Sequence, residues 1–438
     1  MSSADLKRDF AVEVVQTLTR AGFTALWAGG CVRDLLLGKS ADDYDVATNA
    51  HPDQVRELFG PRRTLAIGAS FGVVLVHGPR GRGGANDVEV ATFRTEGPYL
   101  DGRHPQHVSY ATPEEDAQRR DFTINGMFYD PLAETILDYV GGQEDLAKRV
   151  VRAIGDPHAR IKEDKLRMLR AVRITARFDF ELDRATANAV CEMAPEMLVV
   201  SHERITQELK KMLVHSRRAR AVELARDMRL LTVILPELAP VVATAGLSSA
   251  DDRWRLTVQT LDRLENPRFA LALAALLRDL RSGKSSDEAG ALAVQICRRL
   301  KLSNQESDDV AWLIAHEDAL RGAAAMPPRH LKRLLAKPLI GELLALERAH
   351  TLVANTSDAD VAFCENCLHA LPMEEINPAP LINGEDLIAL GLVPGAQFKE
   401  LLEIIRDAQL DGLIGTREEA LERVVRTTTT HKRGTKSD

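Results

Sequence analysis

The sequence predicts an α+β head, a small mixed β-sheet with helices, followed by an all-α neck, body and tail. Three observations predict it. Residues 1–150 alternate short β-branched runs such as "FTALWAGG", "DYDVAT", "FGVVLVHG", "DVEVATF" and "ETILDYVGG" with turn signals. After about residue 155 those runs give way to patterns such as "EDKLRMLRAVRITARF" and "RFALALAALLRDL", whose apolar residues recur every three or four positions. The length, 438 residues with 45% hydrophobic content, supports two to four domains with real cores. The expected division is an α+β head over 1–150, a helical neck over 151–230, a helical body and tail over 231–425, and a disordered tail over 426–438.

Within the head, helices are expected from Asp5 to Arg20 and from Pro52 to Phe59, and "GPRGRGGAND" (Gly78–Asp87) reads as a hairpin loop. No run reaches the roughly 18 apolar residues of a membrane span. The start "MSSADLKRDF" lacks the apolar stretch of a secretory signal, so a cytoplasmic protein is expected. Five cysteines do not make a disulfide framework. Cys364 and Cys367 form one CxxC with only His369 close by, which reads as a helix and not a zinc site. The net charge of −7 does not advertise a nucleic-acid binder. Local charge does: "HERITQELKKMLVHSRRARAVELARDMR" (His202–Arg229) combines helical apolar spacing with many basic residues.

The stretch "GGCVRDLLLGKSADDYDVAT" (Gly29–Thr48) carries the chemistry. If "DYDVAT" is a strand, Asp43 and Asp45 share one face. Neighbouring carboxylates raise each other's pKa unless a cation lies between them. "NDVEVATF" is a period-2 strand whose pairing with "DYDVAT" would bring Glu89 to the same face. Three such carboxylates suit two Mg²⁺ ions about 3.5–4 Å apart, a nucleotidyl-transfer geometry. Gly29 and Gly30 before a helix leave backbone N–H groups for phosphate, and Arg33 adds a charged donor. Each piece alone is a common turn or loop feature; the order and spacing give them weight.

That ordered set resembles the nucleotidyltransferase superfamily in its bacterial tRNA nucleotidyltransferase and poly(A) polymerase branch. Four more segments match the branch's motifs in order: "RRDFTINGMFYDP" (Arg119–Pro131), "LDYVGGQEDL" with Asp138 and Gly141, "EDKLRMLRAVR" from Glu163, and "SHERITQEL" from Ser201. The segment "PLINGEDLIALGLVPGAQFKELLEIIRDAQLDG" resembles the tail of the same enzymes. The resemblance implies Mg²⁺ at Asp43, Asp45 and Glu89. It implies ribose and triphosphate contacts by Arg119, Arg120, Asp121 and Asn125, and nucleotide contacts by Arg170. It implies tRNA, CTP and ATP as partners, with RNA contacts at Arg204, Lys210, Lys211, Arg217 and Arg218. No obligate protein partner is expected. Gly126 departs from the usual alanine, a small-for-small change.

The fourth motif also has its own chemistry. Asp164 and Arg167 are i and i+3 on an expected helix. Aspartate accepts hydrogen bonds and arginine donates them. Cytosine and adenine each present an amine beside a ring-nitrogen acceptor, and so match the pair. Uracil and guanine present a carbonyl beside a ring N–H and mismatch twice, at about 1–3 kcal/mol each. Outside this context, Glu163 and Arg167 would read as a helix-surface ion pair.

The polar segment "FRTEGPYLDGRHPQHVSYATPEED" resembles the loop that lets these enzymes switch from C to A addition, with Asp101 and Arg103 inside it. "IGASFGVVLV" is similar to the tRNA-adding members. Full CCA addition is expected, with A-only addition and poly(A) synthesis as alternatives within the branch. A non-catalytic RNA-binding protein and a small-molecule nucleotidyltransferase are the alternatives outside it. Where many relatives carry a His-Asp pair of a phosphohydrolase domain, this chain has Arg278 before Asp279, so a degenerate helical region is expected.

Overall fold

The computed structural model describes residues 3–68, 72–78, 87–96, 108–246 and 252–434. The chain divides into two compact units, Met1–Val242 and Ala243–Asp438. The first unit therefore holds the expected head and neck together.

A sheet of seven strands organises this first unit. Its strands are β1 (Ala25–Ala28), β2 (Asp45–Thr48), β3 (Thr64–Gly68), β4 (Val73–Val76), β5 (Val88–Thr92), β8 (Phe128–Asp130) and β9 (Thr135–Leu137), in the order β3-β4-β5-β2-β1-β8-β9. A separate hairpin pairs β6 (Arg94–Glu96) with β7 (Val108–Tyr110). The large sheet is mixed: β2 and β5 run parallel, and the other neighbouring pairs are antiparallel.

Helix α1 (Ser3–Arg20) covers one face. Its Phe10, Ala11, Val14, Val15 and Leu18 recur at helical spacing and are buried, and it packs on β1, β2 and β5. Leu26, Ala28, Ala47, Phe93, Ala117 and Phe128 form a buried cluster, with Phe93 edge-on to Phe128. Helices α2 (Gly30–Leu36), α3 (Pro52–Phe59), α4 (Pro113–Gln118) and α5 (Gly142–Lys148) connect the strands.

Past the sheet come α6 (Pro157–Glu163), α7 (Arg167–Phe178), α8 (Arg184–Met193), α9 (His202–Leu213) and α10 (Arg218–Asp227). Strand pairing does not end at 155 as expected. β10 (Val150–Val151) pairs in parallel with β11 (Glu181–Leu182), which fastens the chain on both sides of α7. Helices α7, α9 and α10 pack on one another, and Ile205, Leu209 and Met212 of α9 and Ala221 and Val222 of α10 are buried.

The second unit is helical throughout its described residues. One of its cores gathers Ile382, Leu387, Leu401, Ile405, Ala408, Ile414, Ala420 and Val424. Its last helix runs from Arg417 to Gly434, so the backbone expected to be a disordered tail from residue 426 is helical to 434. Cys364 and Cys367 lie one turn apart on the helix Ala359–Ala370, the first buried and both free. Arg278, in the expected degenerate region, lies 2.9 Å from Glu317 and 3.6 Å from Glu347, while Asp279 binds Arg253 at 2.7 Å.

Candidate active site

A cleft of about 390 Å³ opens at the end of β1 and β2 against α7. All the nucleotide-binding residues expected from the sequence line it: Gly29, Gly30, Arg33, Arg119, Arg120, Asp121, Asn125, Asp164, Arg167 and Arg170. Asp45 lines it too.

The carboxylates follow from strand register. β2 begins at Asp45, and parallel pairing places Asp45 opposite Glu89. Val88 and Val90 turn into the core while Glu89 stays exposed, as period-2 alternation requires. Asp43 differs from expectation. It lies in the loop before β2, its side chain is 79% exposed, and it bonds Lys7 Nζ at 2.6 Å. Among the described residues, no group of three His, Cys, Asp or Glu side chains is close enough to share a metal ion. Burial pushes the Asp45 carboxyl up to about 6, with Glu89 and Asp43 adding repulsion and Arg120 opposing it. A buried carboxylate beside like charges is stabilised by a cation, and all the donors are hard oxygens. Two of the three expected ligands, Asp45 and Glu89, are thus brought together for a divalent ion, while Asp43 is paired with Lys7 instead.

The glycine turn admits an arginine. Gly29 has φ +76°, strained for any L side chain, and a Cβ there would sit 3.2 Å from Arg120 Nη1. Arg119 and Arg120 share one anchor: Asp116, 1% exposed, accepts from Arg119 through Oδ1 at 2.7 Å and from Arg120 through Oδ2 at 2.9 Å. They are a fixed pair just beyond α4, both held by its Asp116.

A chain of bonds then joins the sheet to α7. Arg33 donates to Asp34 and, at 2.6 Å, to Asn125 Oδ1. Asn125 donates to Asp121 Oδ1 at 3.2 Å. Arg170 donates to Asp121 Oδ2 from Nε at 2.9 Å and from Nη2 at 2.5 Å. Burial pushes the Asp121 carboxyl up, but Arg170 and Asn125 outweigh it and hold the group at about 2. The turn carrying these residues is itself anchored, since Thr123 Oγ1 donates to Asp145 Oδ2 at 2.7 Å. Asp138 caps the next helix by accepting from the N–H groups of Val140, Gly142 and Gln143.

Asp164 and Arg167 are not on one helix. Helix α6 stops at Glu163, and Asp164 adopts extended backbone (φ −145°, ψ 104°). Its Oδ1 accepts from Leu166 N at 3.0 Å, a local bond that favours the break over continued helix. Its Oδ2 accepts from Arg204 at 2.7 Å. Arg167 opens α7; its Nη1 donates to Glu163 at 2.5 Å and to the Arg160 carbonyl at 2.9 Å, and its Nη2 to the Arg119 carbonyl at 3.2 Å. The Glu163–Arg167 pair is therefore formed and holds the guanidinium within the cleft.

Arg204 lines the cleft instead of an outer surface. Arg218 is 3% exposed and bonds the Leu213 carbonyl at 3.0 Å. Lys211 and Arg217 are exposed. Asp101 and Arg103 lie outside the described residues. Sequence reasoning missed Arg173, Arg177 and Phe178 as cleft residues. The signal was available: Arg167, Arg170, Arg173 and Arg177 recur every three or four positions, one face of α7. Phe178 stacks under the Arg33 guanidinium, 4.2 Å from the ring centre.

Known proteins resemble this chain over most of its length. Residues 25–152 match the family model of the poly A polymerase head domain, and 179–241 match that of the probable RNA- and SrmB-binding site of polymerase A. The chain is 38% identical over 292 residues to a CCA-adding enzyme of Geobacillus thermodenitrificans, covering 64% of this chain and 69% of the relative. It is 31% identical over 433 residues to one from Lactobacillus helveticus, covering 94% and 95%. Its fold matches the crystal structure of the Bacillus stearothermophilus CCA-adding enzyme in complex with CTP, with a TM-score of 0.74, 26% identity, and coverage of 99% and 100%. Proteins of this family are nucleotidyltransferases that generally use divalent metal ions. An α+β head built around one mixed sheet, its cleft and these near full-length matches lead to one conclusion: the chain belongs to the CCA-adding enzyme family.

Proposed function

We propose that this protein adds C, C and A to the 3′ end of tRNA from CTP and ATP, without a nucleic-acid template, releasing pyrophosphate at each step. The observation that carries this reading is the pairing of Asp164 with Arg204 beside Arg167, a fixed acceptor and donor in one cleft. Asp164 keeps lone pairs beyond its two bonds, and they accept the amine of cytosine or adenine. Arg167 keeps donor hydrogens beyond those bound to Glu163, Arg160 and Arg119, and they serve the ring nitrogen. Uracil and guanine place acceptor against acceptor and donor against donor.

In the reaction, the tRNA 3′-oxygen forms a bond to the α-phosphorus, its proton passes to solvent water, and the bond to pyrophosphate breaks. Arg33, Arg119 and Arg120 face the triphosphate, and their partners Asp34, Asn125 and Asp116 keep them oriented before substrate arrives. Asp121 and Asn125 hold the ribose, with Arg170 fixing Asp121. Asp45 and Glu89, with Asp43 in the loop before β2, would hold Mg²⁺, whose chemistry when bound would be to lower the pKa of the attacking hydroxyl and neutralise the leaving group. Lys210, Lys211 and Arg217 supply backbone contacts to the acceptor arm. Action on tRNA suits the cytoplasm, and no helix among the described residues is long and apolar enough to cross a membrane.

The test uses tRNA transcripts ending at the discriminator base, after two added C residues, and with the complete end. Each is incubated with Mg²⁺ and CTP, ATP or both, and resolved at single-nucleotide steps. Two C then one A, stopping there, is expected, and Asp45→Ala abolishes it. A single A added only to the CC-ended transcript, a long A ladder, or no extension would each overturn the reading.

A further inference from the structure

Lys7 stands one turn before Phe10 and Ala11 on α1, on the face that buries Phe10, Ala11 and Val14. Helix α1 packs on β2, so the Lys7 ammonium reaches the loop from which β2 starts. There it makes two bonds. Its Nζ donates to Asp43 Oδ1 at 2.6 Å and to the Asp42 carbonyl at 2.9 Å. A cation of the protein thus occupies a carboxylate expected to bind a metal.

The loop around Asp43 is held on both sides. Asp42 Oδ2 accepts from Arg177 Nη2 of α7 at 3.2 Å. Tyr44 is buried and packs on Trp27 of β1, with ring centres 4.8 Å apart. With residues 42 and 44 fixed, an exchange of partner at Asp43 needs only its own side chain to turn. Burial does not oppose that turn, because the carboxylate is 79% exposed. The ion pair opposes it weakly: exposed pairs are worth little, and a divalent ion carries twice the charge of an ammonium. The charge of Asp43 is already felt at Asp45, which the strand register places opposite Glu89.

We propose that Lys7 is the resident counter-ion of Asp43, displaced when a divalent ion binds, and that it thereby sets how tightly the free protein holds that ion. The inference rests on the metal role proposed above for Asp43, Asp45 and Glu89. Without a metal, Lys7 offsets the repulsion among these carboxylates. With one, Asp43 turns to the ion and the ammonium is released to water. Binding of the ion then includes the loss of the Lys7 pair, and the ammonium left nearby repels the ion. An ion that arrives with a nucleotide brings phosphate oxygens as further ligands. The effect of Lys7 therefore falls hardest on metal alone.

The experiment titrates the full chain with Mn²⁺, without nucleotide or RNA, and follows the free ion by electron paramagnetic resonance. The binding that Asp45→Asn removes identifies this site. Lys7→Met and Lys7→Gln should each tighten that binding by about two- to fivefold, the worth of an exposed ion pair. Lys7→Arg keeps a cation and should stay within about twofold of the wild type. In the Asp43→Asn background the effect of Lys7→Met should largely vanish, since the carboxylate it frees is gone. Thermal unfolding checks that each variant folds. Unchanged affinity in both neutral variants would overturn the proposal. Weakened affinity would overturn it too, because Lys7 would then be orienting Asp43 for the metal. If the wild type shows no Mn²⁺ binding that depends on Asp45, the metal reading beneath the proposal fails, and the proposal with it.

Discussion

Replacing Arg170 by methionine tests the network that links the nucleotide cleft to α7. Asp121 is 9% exposed and receives both Nε and Nη2 of Arg170. The fall of its pKa from 3.8 to about 2 corresponds to about 2 kcal/mol of preference for the charged form. Because the folded-state value is depressed, that stability is present above about pH 4 and is lost as pH falls through about 2. Breaking a fully buried pair costs about 3–5 kcal/mol, but the Arg170 side chain is 35% exposed, so about 2–3 kcal/mol is expected for Arg170→Met at pH 7. The double variant Arg170→Met/Asp121→Asn should recover much of this, because no unpaired charge remains. The chain has three tryptophans, and replacing Trp254 and Trp312 by phenylalanine leaves Trp27, 1% exposed in β1, to report on the first unit alone. Urea midpoints of the four members of the cycle then give the coupling. A coupling of about 1.5–2.5 kcal/mol is expected; additivity within about 0.5 kcal/mol would refute the reasoning.

Three further outcomes are expected. Asp164→Ala should reduce the preference for CTP and ATP over UTP by about 10–100-fold, the worth of one unmade buried bond, measured by competition in single-nucleotide addition. Gly142→Ala should destabilise the first unit by about 1–3 kcal/mol, because its Cβ would lie 2.3 Å from the Thr123 carbonyl oxygen and 2.7 Å from Met127 Cγ; a Trp27 unfolding curve shows it. In the second unit, burial raises Glu317 and Glu347 to about 7 against the opposing charge of Arg278. Their stabilising protonation is complete below about pH 4.5 and lost as pH rises through about 7, so Glu347→Gln should flatten the loss of stability between pH 5 and pH 8 measured by thermal unfolding.

How far the sequence reaches is clearest at particular residues. The alternation in "NDVEVATF" placed Glu89 on the polar side of its strand, and the parallel register with β2 put it opposite Asp45. Gly126 illustrates the opposite case. It reads as a harmless change from alanine, yet a Cβ there would approach Val140 Cγ2 to 2.7 Å and Ile154 Cδ1 to 2.9 Å. That space is filled by residues 14 and 28 positions further on, which a local pattern cannot show.

Alone, the sequence determined the α+β head, the helical remainder and many of the residues that meet in the cleft. These follow from local periodicity and from ordered motifs, and periodicity is a property of neighbours along the chain. Tertiary structure decided the partners. Arg204 turned from an expected RNA contact to the anchor of Asp164, Arg119 and Arg120 shared Asp116, and Asp43 took Lys7. The helix break at Asp164 is local instead, its side chain accepting from the Leu166 N–H two residues on. Charged side chains bind whichever opposite charge the packing brings within reach, and α1, α7 and α9 bring theirs from far along the chain.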